Sequence, residues 1–298
     1  MNLFKRSRTF VALITAMVSA GGMLRLLPEK HSESGLFWHE KRYGKQRYNA
    51  LLMGDSRTYL GVSPRILREY IPNMDVYNFG FPAGRINRQL LIKARKRLQQ
   101  NGKRILIFGC TYLDLCNLRN ERFFNTAEAA PLKSTWISGN TPRDREYYTH
   151  HTPFGYIEVK RSKDEDAISQ TLKNYRSNLY NRHFSPSDFK HFVQNLKWCK
   201  RNNIKVVAHR MVSCREMDEL EDKLSGVDWN KIKQAVLDEG FVWLERPPSP
   251  LLEQIEEHCY DASHLNAEGA ELFSNWLGQE LAKLDWFKEN QQISEIKE

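Results

Sequence analysis

Short apolar runs recur along the chain, and between them apolar residues return every three or four positions. Ala50-Leu51-Leu52-Met53 is apolar without alternation and is broken by Gly54. Asp75 to Gly80, Arg104 to Gly109, Ile204 to Ala208 and Phe241 to Leu244 repeat the pattern. Runs this short and continuous suit strands covered on both faces. Leu60 to Tyr70, Arg85 to Gln100, Ser187 to Lys200 and Asp228 to Glu239 carry helical spacing instead, the second through Ile86, Leu90, Leu91, Ala94 and Leu98. Ala267 to Leu284 closes the series as a helix with Phe273, Trp276, Leu277 and Leu281 on one side. Strands alternating with helices predict an α/β fold with a largely parallel sheet flanked by helices.

Some stretches break the alternation. Glu29 to Lys45 reads as a polar connector. Residues 110–170 are aromatic, polar and punctuated by proline, with Phe123, Phe124, Trp136, Tyr147, Tyr148, His150, His151 and Tyr156, and read as an insertion or lid over a site. Pro247, Pro248 and Pro250 force a loop. At the amino end Lys5, Arg6 and Arg8 precede an apolar run, Phe10 to Leu24, with no charge before Arg25. Residues 1–28 are therefore expected to be a cleaved signal peptide or a short membrane anchor, the other reading being a buried helix of the domain. The run is shorter than the roughly 20 residues of a comfortable span, and Val18-Ser19-Ala20 before Gly21 resembles a cleavage site. Its basic flank places the rest of the chain outside the cytoplasm, in the periplasm or on the outer face of the membrane. One folded domain is expected over 45–287, with a polar tail over 288–298.

Composition narrows the partners. With 41% hydrophobic residues in 298, the chain can bury a core, which argues against disorder. Lys and Arg outnumber Asp and Glu by 45 to 36, which suits a polyanionic glycan or phospholipid headgroups. No zinc-finger spacing, RNA-binding signature or helix-turn-helix points to nucleic acid. The five cysteines, Cys110, Cys116, Cys199, Cys214 and Cys259, lack metal-ligand spacing, and both disulfides and buried free thiols stay open for them. His150 and His151 have no carboxylate pattern beside them and read as surface or hydrogen-bonded residues, so neither metal nor cofactor is expected.

Ser56 lies where the first strand hands over to a helix, a place for a nucleophile with part of its oxyanion site built in, or for an N-cap. Asp261 and His264 are spaced so that the carboxylate can orient the imidazole, whose other nitrogen would take a proton from Ser56, or so that Asp261 caps the last helix and His264 satisfies its first turn. In this order, Gly54-Asp55-Ser56, Asn78-Phe79-Gly80 and Asp261-Ala262-Ser263-His264-Leu265 resemble the SGNH (GDSL-like) hydrolase superfamily, over Ala50 to Leu284. The resemblance implies a three-layer α/β/α sandwich, Ser56 as nucleophile, Asp261 and His264 as its partners, and the Gly80 N–H as an oxyanion donor beside that of Ser56. Where the family places Gly-x-Asn-Asp, this chain has Gly109-Cys110-Thr111-Tyr112, leaving Thr111 as the positional substitute for the asparagine donor. Losing such a donor costs about 2–4 kcal/mol of transition-state stabilisation.

Arg57 gives Gly-Asp-Ser-Arg in place of Gly-Asp-Ser-Leu. This resembles membrane-tethered relatives that help place acyl groups on surface polysaccharides, such as the alginate acetylation proteins and the D-alanyl transfer protein of teichoic acids. On that resemblance Arg57 contacts an anionic substrate; its other reading is a solvent-facing or core-pairing cation. The expected function is an extracytoplasmic serine-dependent esterase or O-acyltransferase. It would act through an acyl-serine on acyl groups of a cell-envelope glycan or a small acylated substrate, with a membrane-embedded acyltransferase as partner. Two alternatives accompany it. A non-catalytic glycan-binding or assembly protein suits the missing asparagine, and a phospholipid-type esterase suits the basic charge, the anchor and an acyl channel lined by the insertion's aromatics.

Overall fold

The structure, a computed structural model, describes residues 33–82, 86–116, 146–180 and 183–288. The amino-terminal segment, the part of the insertion holding Phe123, Phe124 and Trp136, and most of the polar tail lie outside these residues. In chain order the elements begin with α1 (Glu33–Tyr43), β1 (Ala50–Gly54), α2 (Ser56–Gly61), α3 (Pro64–Tyr70), β2 (Val76–Asn78), α4 (Arg88–Arg97) and β3 (Ile105–Cys110). Next come α5 (Tyr112–Leu115), a hairpin of β4 (Tyr148–His151) and β5 (Tyr156–Val159), α6 (Glu165–Tyr180), α7 (Pro186–Arg201) and β6 (Lys205–Arg210). The chain closes with α8 (Arg215–Leu224), α9 (Trp229–Asp238), β7 (Val242–Leu244), α10 (Ser249–Glu257), α11 (Ala267–Lys283) and α12 (Asp285–Lys288).

The five apolar runs form one parallel sheet in the order β2-β1-β3-β6-β7. β1, β2 and β3 are buried along their whole length, because helices cover both faces. On one side α11 packs with α2, α3 and α10; on the other α7 packs with α4 and α9. The result is an α/β/α sandwich around one core, in which side chains such as Leu51, Leu52, Ile107 and Val207 are fully buried. Each contributes about 1.5–3 kcal/mol by leaving water.

The order places β2 on one side of β1 and β3 on the other, so the connections diverge beyond the carboxyl ends of β1 and β3 and open a crevice there. Gly54 and Gly109 stand opposite each other at that end. A Cβ on Gly54 would lie 2.1 Å from Thr58 Oγ1, and one on Gly109 would lie 2.5 Å from the same atom. The glycine pair thus lets α2 settle onto the strand ends, which puts Ser56 at the crevice.

Several stretches differ from expectation. The expected polar connector contains α1, whose Phe37, Trp38 and Lys41 are buried, so the folded body begins before residue 45. The proline run leads directly into α10, with Pro248 as N-cap and Pro250 in the first turn, where a missing N–H breaks no helical bond. The described parts of 110–170 hold α5, the hairpin and the start of α6, and the hairpin's turn seats Gly155 against the Asn78 carbonyl beside β2. All five cysteines are free and buried, and burial pushes the Cys199 and Cys214 thiols up to about 12. Among the described residues no helix is long and apolar enough to cross a membrane.

Candidate active site

The strand-to-helix turn after β1 is capped by Asp55, whose Oδ1 accepts the Arg57 N–H at 2.9 Å. Ser56 is therefore the first helical residue and not the cap, which frees its hydroxyl. At the other end of the chain, Cys259 and Leu265 bridge across a tight loop that displays Asp261 and His264. Asp261 Oδ1 accepts the N–H groups of Ser263 (2.7 Å) and His264 (2.8 Å), so the carboxylate shapes the loop that carries its partner. Asn266 then caps α11 by accepting from Gly269 N–H.

The two ends meet at the crevice. His264 Nε2 lies 2.7 Å from Ser56 Oγ, and its Nδ1 lies 2.9 Å from Asp261 Oδ2. Burial raises the Asp261 carboxyl, but the adjacent imidazole and the two N–H donors outweigh it and hold the group below its ordinary value. An ionised Asp261 fixes the proton on Nδ1 and leaves Nε2 to accept from Ser56. The ring of Tyr260 lies nearly parallel to His264, with centroids 5.9 Å apart.

The donors expected to complete an oxyanion site are placed differently. The Ser56 N–H, in the first turn of α2, has no hydrogen-bond partner among the described residues. The Gly80 N–H donates to Asn78 Oδ1 at 3.0 Å, while Asn78 Nδ2 is spent on the Thr58 and Val62 carbonyls. Thr111 caps α5 and is buried; its hydroxyl lies 2.8 Å from Asp55 Oδ2 and 2.9 Å from Asp114 Oδ2. A hydroxyl has one proton to give, and both carboxyls lie within its reach. Burial, reinforced by Asp55, pushes Asp114 well above the usual carboxylate range. Thr111 is thus committed to a buried carboxyl pair, which corrects its expected role as an oxyanion donor.

Arg57 is corrected as well. It is buried, its guanidinium makes a two-pronged ion pair with the equally buried Glu221, and its Nε donates to Ser263 Oγ at 3.0 Å. Tyr175 Oη lies 3.1 Å from the same Oγ. Burial lowers the Arg57 pKa but the Glu221 charge overrides it and holds it well above its ordinary value. Burial raises Glu221, with Arg57 pulling the other way. Arg57 therefore fastens α2, which carries Ser56, to the loop between Asp261 and His264, and its charge is cancelled within the protein. Glu221, Tyr175 and Tyr260 were not anticipated. The signal for Glu221 was the helical spacing of Met217, Leu220 and Leu224, which puts an acid on the buried side of α8.

His151 Nε2 lies 3.3 Å from Glu158 Oε2, and the His150 ring packs edge-on against Phe37. Among the described residues no group of three acids, histidines or cysteines could hold a metal. A cleft of about 190 Å³ between α3, the hairpin and the start of α11 is lined by none of Ser56, Asp261 and His264.

Comparison with protein-family models and with curated proteins finds no match. Among solved structures the chain is similar to a provisionally assigned platelet activating factor from Streptococcus pneumonia, at 14% identity and a TM-score of 0.39, covering 89% of this chain and 99% of that one. It is also similar to a provisionally assigned acylhydrolase from Bacteroides fragilis, at 11% identity and a TM-score of 0.37, covering 88% and 93%. The fold assignment rests on the chain's own strand order and layers, not on these similarities.

Proposed function

We propose that this chain is an SGNH-like, serine-dependent acyl-ester enzyme of the cell envelope. The observation that carries the reading is the continuous hydrogen-bonded line Ser56 Oγ, His264 Nε2, His264 Nδ1, Asp261 Oδ2. In it His264 takes the Ser56 proton as Oγ attacks an ester carbonyl. The tetrahedral adduct collapses to an acyl-serine as the imidazolium returns that proton to the departing alkoxide. A second hydroxyl, from water or a sugar, reverses the sequence and takes the acyl group. Water gives an esterase and a sugar hydroxyl gives an O-acyltransferase. An O-acylated cell-envelope glycan as substrate, and a membrane-embedded acyltransferase as donor partner, follow from the Gly-Asp-Ser-Arg resemblance and the net charge of +9. Placement outside the cytoplasm follows from the basic and apolar amino-terminal segment.

The test compares the purified chain with Ser56→Ala on an acyl ester reporter, with mass spectrometry for an acylated Ser56 peptide. Equal rates and no adduct would sink the proposal. A second reading, a glycan-binding protein without turnover, is favoured by the commitment of the Gly80 N–H and the Thr111 hydroxyl to internal partners. It predicts glycan binding that survives Ser56→Ala with no acyl-enzyme in either protein. The phospholipid reading gains nothing from Tyr148 and Tyr156, both packed into the core.

A further inference from the structure

The segment between β5 and α6 runs alongside the catalytic loop and is tied to it by the Asp164 N–H, which donates to the Tyr260 carbonyl at 3.2 Å. It carries three cations. Lys160 is paired with Glu158 at 3.5 Å and Lys163 with Glu165 at 3.1 Å. Arg161 differs: half-buried, it makes no ion pair and no side-chain hydrogen bond among the described residues. Its guanidinium carbon sits instead over Tyr147 (5.1 Å), Tyr148 (5.3 Å) and Tyr260 (6.0 Å). Burial holds the Tyr260 phenol well above its ordinary value, so that ring supplies no compensating charge at neutral pH. Tyr260 is also the ring that lies against His264 at 5.9 Å, and the two separations place the guanidinium carbon within about 12 Å of the catalytic imidazole.

A guanidinium held over aromatic faces keeps its N–H groups for an outside acceptor, and oxyanions match its fork. We propose that Arg161 recognises an anionic group, a carboxylate or a phosphate, on the acylated substrate. The substrate class is thus an ester that bears a fixed negative charge near its acyl group. Arg161 takes the specificity role that sequence position suggested for Arg57, whose charge Glu221 already cancels. This rests on the proposed acyl-serine reading.

The experiment measures kcat and KM of the full chain for para-nitrophenyl acetate, para-acetoxybenzoate and para-acetoxyphenyl phosphate. The variants are Arg161→Gln, Arg161→Lys and, as a paired-cation control, Lys163→Gln. Arg161→Gln is expected to raise KM for the carboxylate or the phosphate ester about tenfold more than for the neutral one, as loss of a charge-assisted hydrogen bond does. Arg161→Lys should recover part of that selectivity and Lys163→Gln should leave it at the wild-type value. The charged ester that responds identifies the anion. Equal effects on all three esters would reduce Arg161 to packing and overturn the proposal, as would no effect on any. In parallel, calorimetry follows benzoate and phenyl phosphate binding to Ser56→Ala with and without Arg161→Gln. If wild type and Ser56→Ala show equal rates, the acyl-serine reading fails. The calorimetry still decides Arg161, since unchanged affinity would refute anion recognition on its own.

Discussion

Replacing Arg57 by methionine removes one half of an ion pair whose side chains are 2% and 1% exposed, and strands Glu221 beside Ser263 and Tyr175. Breaking a buried pair by removing one partner costs about 3–5 kcal/mol, because the remaining charge has neither water nor a counter-ion. For a domain of this size each kcal/mol lowers Tm by about 2–4 °C, so a fall on the order of 10 °C is expected. The double variant Arg57→Met, Glu221→Leu should recover most of that loss, since apolar replacement of both partners is often neutral or better. Four proteins, wild type, both singles and the double, form a cycle read by urea and thermal unfolding followed by circular dichroism. The double variant also unfastens Ser263, so kcat should fall even where stability returns. If Arg57→Met unfolds within about 1 kcal/mol of wild type and raises only KM for anionic esters, the guanidinium faces substrate and the core assignment is wrong.

Asp261→Asn should lower kcat for an ester reporter by about 10⁴-fold with little change in KM, because an amide favours the wrong imidazole tautomer; a loss under about tenfold would show that Asp261 does not orient His264. The depressed Asp261 pKa stabilises the fold fully above about pH 4 and less as pH falls through the folded value, so the stability gap between wild type and Asp261→Asn should close on acidification. The raised Asp114 pKa acts with the opposite sign: its contribution is full below about pH 4 and fades as pH rises, so urea titrations should show wild type losing ground to Asp114→Asn toward alkaline pH. Gly109→Ala should cost about 1–3 kcal/mol, since its Cβ would sit 2.5 Å from Thr58 Oγ1 and 2.7 Å from Met211 Sδ; an unchanged urea midpoint would refute the close packing of α2 on the strand ends.

Much of this architecture is local enough to be read from the chain alone. The five strands announce themselves because a strand covered on both faces, as β1, β2 and β3 are along their whole length, has little use for polar positions that would interrupt its apolar run. The helices at Arg88–Arg97, Pro186–Arg201, Trp229–Asp238 and Ala267–Lys283 show because a one-sided apolar stripe has a period that survives without tertiary information. α1, α6 and α10 escaped because they begin in stretches that read as a polar connector, an insertion and a proline loop, and α8 escaped despite the helical spacing of Met217, Leu220 and Leu224; what buries Lys41 or Glu221 is a distant partner: the Gly155 carbonyl for one, Arg57 for the other.

The candidate site divides in the same way. Ser56, Asp261 and His264 are legible because each lies at a turn whose spacing carries its chemistry, and Asp261 builds its loop from neighbours two and three residues away. Which cation is free is a different kind of question. Arg57 stands next to Ser56 in sequence but meets an acid 164 residues away, whereas Arg161 lies far from the motifs and keeps its charge over tyrosine rings. Likewise one threonine hydroxyl facing two carboxyls, Asp55 and Asp114, removes Thr111 from the oxyanion site. Covalent order sets which side chains the chain owns; only tertiary packing decides which charges and donors are already spent, because that balance depends on what burial brings within hydrogen-bond reach.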